Sequence, residues 1–177
     1  SRCRTLVLDR LSTSDLMQAA GQALGAIGRE MPAPDAADIL NRLADGSVRR
    51  FLSLEAAGGL KLYEEIYGLV STLPDIAWPQ VHTLADQLAP KTAEVRFELF
   101  FELFLELLAR VVRSGATGEG ASEDLRLAER LGGPDRLATL AEVWETVARE
   151  KAETVALNLD RKTLILRTVS RLEAATR

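Results

Sequence analysis

Chemically reactive side chains are scarce in this chain. Its 177 residues include one cysteine, Cys3, and one histidine, His82. One cysteine cannot close an internal disulfide and one histidine cannot anchor a zinc site, which fits a reducing, cytoplasmic setting with no metal held by the chain itself. Cys3 has no histidine beside it to activate its thiol, so it reads as a buried, inert cysteine rather than a nucleophile. There is no G-x-x-x-x-G-K-[ST] loop, and Gly58-Gly59-Leu60-Lys61 has its glycines and lysine in the wrong order to cradle phosphates. A G-x-S-x-G elbow and a C-x-x-C pair are also missing. The densest apolar stretch, Phe97 to Leu108, carries Glu98, Glu102 and Glu106, too short and too charged to span a bilayer, so no membrane contact is expected. No signal-peptide pattern is visible, and no 20–50-residue repeat, which argues against a solenoid. With 22 basic and 26 acidic residues the formal charge is −4, so the chain as a whole is not a basic nucleic-acid binder.

What the chain has in abundance is helical period. From residue 12, Leu16, Ala20, Ala23, Leu24 and Ile27 share one face; Ser12 is placed to cap that helix, with Asp15 three residues on and Leu11 and Leu16 at the positions of a hydrophobic staple. Met31-Pro32-Ala33-Pro34 breaks the pattern. A second helix is expected at about 35–45, stopped by Gly46 as a C′ residue, and Ser47 caps a third in Ser47-Val48-Arg49-Arg50-Phe51. Residues to about 55 therefore read as one short strand and three short helices. The adjacent Gly58 and Gly59 mark a joint. Beyond it, helices are expected at about 60–72, 78–89, 92–114, 122–131, 135–156 and 159–175, with 115–122 as the most flexible loop. Connections this short usually join antiparallel neighbours. At this length a chain buries about 70% of its unfolded surface, enough to fold without staples.

The segment from Arg96 to Arg113 is the expected packing centre. Phe97, Phe100, Phe101, Phe104, Leu108, Val111 and Val112 follow i, i+3, i+4, i+7 spacing, and Leu99, Leu103 and Leu107 add a second apolar row. A helix apolar around most of its circumference is either central to a bundle or shared with another subunit. Glu98, Glu102 and Glu106 are left for solvent, mildly self-repelling at i,i+4 and partly offset by Arg110. As catalytic carboxylates they lack a second set of groups converging on them. His82 lies on an amphipathic helix and reads as structural or solvent-facing.

Two arginines stand apart. Arg2 sits between Ser1 and Cys3, ahead of the strand-like Thr5-Leu6-Val7-Leu8, and these residues are expected to end a larger domain lying in front of them. Arg49 follows a helix stop and begins a new helix. Each fits two readings, a surface cation or an anion contact.

The order Ser1-Arg2-Cys3, then a three-helix unit containing LADGSVRRFLSL, then an all-helical tail ending in ALNLDRKTLILRTVSRL resembles the clamp-loader subunits of bacterial DNA polymerase III, most nearly the delta-prime subunits. The resemblance covers the whole chain. It implies an all-α fold: a small three-helix AAA+ lid at 1–55, the end of an AAA+ module whose RecA-like base domain is missing, and a helical-bundle collar for oligomerisation at 56–177. It implies a noncatalytic subunit that helps ATP-driven loading of the sliding clamp onto primed DNA within the polymerase holoenzyme. Its partners would be the gamma/tau and delta subunits, with ATP and Mg bound by neighbouring subunits rather than by this chain.

In that family the Ser-Arg-Cys motif supplies an arginine finger to ATP on the neighbouring subunit; carried onto this sequence, the finger is Arg2. A planar, always-charged guanidinium meets phosphate oxygens with two hydrogen bonds. Supplied in trans, such a finger is typically worth about 10³–10⁵ in rate. Arg49 falls where ATP-binding relatives carry the sensor-2 arginine of a G-S-x-R sequence. Here Arg50-Phe51-Leu52 follows, where those relatives usually have Asp-Ala-Leu, and delta-prime subunits are generally not the hydrolysing ones. A stand-alone helical adaptor or ligand-binding regulator is the alternative; it requires a pocket lined by the phenylalanines of 97–104.

Overall fold

The computed structural model describes residues 9–177, so Arg2, Cys3 and the strand expected at 5–8 lie outside the described residues. Among the described residues every regular element is a helix, and the fold is all-α. The chain divides into two compact units, with the division after Lys61. That point lies in the first turn of a helix beginning at Gly59, next to the Gly58-Gly59 pair.

The first unit packs three helices against one another: α1 (Thr13–Ala26), α2 (Pro34–Ala44) and α3 (Val48–Ala56). Ser12 caps α1 as expected, its Oγ accepting from Asp15 N at 3.2 Å and donating to the Asp15 carboxylate at 2.7 Å. The staple is incomplete, because Leu11 stays 40% exposed while Leu16 is buried. Pro34 begins α2, where its missing N–H is no loss. The end of α2 uses two left-handed residues rather than one, Asp45 (φ 49°) and Gly46 (φ 78°). At Gly46 the conformation and the space both demand glycine. An added Cβ would lie 2.7 Å from Arg10 Cβ, because residues 10 and 11 cross over this turn and Leu11 N donates to Gly46 O at 3.2 Å. Leu16, Leu24, Leu40, Leu43, Phe51 and Leu54 fill the centre of the unit.

The second unit is built around one long helix. Its elements are α4 (Gly59–Ser71, from Leu62 onward), α5 (Trp78–Leu88), α6 (Glu94–Thr117), α7 (Ser122–Arg130), α8 (Leu137–Ala156) and α9 (Arg161–Thr176), with 3₁₀ turns at Lys91–Ala93 and Gly133–Arg136. α6 packs against α7 and α8, α8 against α9, and α9 against α5. Phe97, Phe100, Phe101 and Phe104 are 0–2% exposed. Phe97 and Phe100 each meet the Phe101 ring edge-on, with centroids 5.0 and 5.1 Å apart. Phe100 stacks on Phe104 at 5.9 Å.

One boundary differs from expectation. α6 runs on to Thr117, through Gly115, where a loop is expected to begin. Ser114 is buried, and a Cβ at Gly115 would come within 2.6 Å of Leu137 Cδ2 and 3.3 Å of Ala128 Cβ. Gly115 is a packing position inside the helix, and the stop is Gly118 in the left-handed conformation (φ 71°). No helix among the described residues is long and apolar enough to cross a membrane.

Truncating Phe101 leaves a cavity at the meeting point of three rings. Phe101→Ala should lower the unfolding free energy by about 3–5 kcal/mol, read as a fall in the urea midpoint at unchanged slope.

Candidate functional site

The sequence directs attention first to the start of α3. Ser47 caps it, its Oγ accepting from Arg50 N at 3.3 Å. Arg50 turns back and donates from Nε to Leu43 O at 2.6 Å, which ties the new helix to the end of α2. Arg49, the second residue of α3, is exposed and has no ion-pair partner among the described residues. The first turn contains no acidic residue. A helix N-terminus already carries a partial positive charge, so a cation placed there is mildly unfavourable unless an anion joins it. The entering segment lies beside this turn, with Arg10 paired to Asp45 at the surface. The geometry can present one free guanidinium and helical N–H groups to an anion.

In the second unit the expected carboxylate row is drawn into structure. Glu98 is paired with Lys151 of α8, and Glu102 and Glu106 are also engaged. The phenylalanines point into the core and pack on each other, so the space a ligand would need between them is filled by the rings themselves. His82 is exposed, 6.2 Å from the Trp78 ring, as a solvent-facing histidine should be. No group of three His, Cys, Asp or Glu side chains among the described residues is arranged to hold a metal ion.

A polar cluster that the sequence did not single out joins three helices of this unit. Asp124, in the first turn of α7 and only 4% exposed, accepts from Arg110 Nε of α6 at 3.1 Å. Arg110 also donates from Nη2 to the Tyr63 hydroxyl of α4 at 2.9 Å, and its guanidinium lies 5.7 Å from the Tyr63 ring centroid. No periodicity argument relates residues 63, 110 and 124, because the contact depends on how the helices pack. Asp160, by contrast, is a local feature: it caps α9, and hydrogen bonds from the Thr163 hydroxyl and then the Thr163 N–H hold its carboxyl below the ordinary value.

Two surface grooves complete the second unit. One, of about 310 Å³, lies between α6 and α8 beside half-exposed Trp144, with Arg113 and Glu145 giving its rim both signs of charge. The other, of about 400 Å³, runs between α4 and α5. Compared with known proteins, the chain matches no family model, no curated protein and no solved structure.

Asp124→Ala strands the Arg110 guanidinium in a half-buried position and should cost about 2–3 kcal/mol in urea unfolding. The Asp160 cap gives a pH signature. Its folded carboxyl is the more acidic, so the stabilisation is complete above about pH 4 and is lost as pH falls through the depressed folded value. The acid-induced loss of stability should be shallower in Asp160→Asn, which keeps a capping oxygen without the titration.

Proposed function

We propose that this chain is the lid-and-collar part of a noncatalytic clamp-loader subunit of bacterial DNA polymerase III, of the delta-prime kind. Its work would be to help ATP bound on neighbouring subunits drive the sliding clamp onto primed DNA. The observation that carries the reading is Arg49. It stands exposed, with no partner among the described residues, in the acid-free first turn of α3, in a three-helix unit that follows the Ser1-Arg2-Cys3 motif. In the first unit, a guanidinium beside helical N–H groups suits a nucleotide phosphate supplied from another chain. The larger helical unit has the character of an assembly collar. Gamma/tau and delta subunits are the partners, ATP and Mg stay with the hydrolysing subunits, and Arg2 is the finger that completes one of their sites.

The division into a three-helix unit and a larger helical unit supports this reading over a stand-alone ligand-binding adaptor. That alternative needs a pocket among Phe97, Phe100, Phe101 and Phe104, and these side chains fill their own space.

Size-exclusion chromatography with light scattering, on this chain mixed with gamma/tau and delta subunits from the same organism, tests the assembly. A stable mixed complex is expected. Absence of a complex, where a subunit including its base domain does assemble, would reject the second unit as a sufficient collar. In the reconstituted loader, Arg2→Ala should slow clamp-stimulated ATP hydrolysis by about 10³-fold or more at its interface while leaving assembly intact. Unchanged hydrolysis removes Arg2 from the site.

A further inference from the structure

The groove between α4 and α5 has a feature that the fold itself does not require. Gly68 lies in the third turn of α4, on the exposed side, and a Cβ there would meet no atom within 4 Å. Glycine is the poorest helix former after proline, so an interior helical glycine ordinarily marks a close approach by another part of the structure. Gly115 is such a case within this chain, and Gly68 has no such neighbour. The missing side chain keeps the groove open at its middle. Around it, Leu69, Ile76, Val81 and Leu84 supply an apolar floor, while the lining contains two carboxylates, Glu64 and Glu65, and no basic residue. Glu65 is half-buried and engaged within the chain; Glu64 is exposed and supplies the charge toward solvent.

We infer that this groove docks an amphipathic helix of a partner protein, with a basic residue facing Glu64 and its backbone brought close over Gly68. The inference stands on the second unit alone and does not depend on the clamp-loader reading. The α4 side of the groove, residues 64–72, covers about two helical turns, roughly 12 Å, which matches two turns of an incoming helix. Such a helix places apolar side chains at i, i+3 and i+4 into the floor and a lysine or arginine at the rim. The sign of the rim selects against acidic helices.

The test uses the full chain, isotope-labelled, titrated in an NMR experiment with a synthetic 18-residue peptide of leucine, lysine and alanine at helical spacing. The same peptide with glutamate in place of lysine is the control. The lysine peptide should perturb amides confined to 64–72 and 76–87, and the glutamate peptide should not. Gly68→Phe, whose Cβ would meet no atom within 4 Å, places a ring in the groove and should abolish binding, with the thermal midpoint held or raised. Glu64→Lys should weaken binding about fivefold. Perturbations spread over other helices, equal binding of the two peptides, or wild-type binding by Gly68→Phe would each overturn the proposal. Self-association abolished by Gly68→Phe in sedimentation would do so as well, by assigning the groove to a second copy.

Discussion

A helix that is apolar on most of its sides cannot face water on any of them, and α6 imposes that condition on the whole second unit. Phe97, Phe100, Phe101 and Phe104 commit one broad face to aromatic packing, and Leu99, Leu103 and Leu107 commit another. The surrounding helices need only one apolar side each, because α6 satisfies them from the centre. What is left of its surface is a narrow acidic stripe, and even there Glu98 is held by Lys151 of α8. The ring pairs add directional preference to a burial that would otherwise be indifferent to rotation of the helix.

Arginine does most of the polar joining around this centre. Arg110 links α6 to α4 and α7. Arg161 of α9 lies 4.7 Å from the Phe97 ring centroid and pairs with Glu94, while Arg167 and Arg171 both donate to Glu150 of α8. Arg136 donates to Ala175 O near the end of α9. Each of these guanidiniums has a structural partner within its own unit. Arg49 has none among the described residues, as is also true of the exposed Arg113, Arg130 and Arg149; it stands apart in lying at the helix end where positive charge is least welcome. That placement, together with the sequence around it, is what makes it a functional candidate.

Much of the architecture could be read from local pattern. Helical period, Ser12, Ser47 and the break at Met31 to Pro34 are local signals, and the helices lie close to where those signals place them. The errors occur where tertiary contact overrides local preference. Gly115 reads as loop by composition but is helix, packed closely against Leu137 and Ala128. The site was less legible for the same reason. Arg49 is visible as a residue following a helix stop, but its lack of a partner among the described residues appears only when the neighbours are in place. The Tyr63–Arg110–Asp124 cluster and the α4–α5 groove depend on distances between helices that no spacing rule encodes.

Gly115 has a consequence for how this protein can vary. The space above its Cα is occupied by the Leu137 side chain, whose Cδ2 would lie 2.6 Å from any added methyl. Residues 115 and 137 therefore draw on a single volume, one at the end of α6 and the other at the start of α8. A larger residue at one is admissible with a smaller one at the other, while enlargement at both is not. Among natural variants of this fold the two positions should drift as a pair, and their covariation would record how closely the end of one helix is laid against the start of the next.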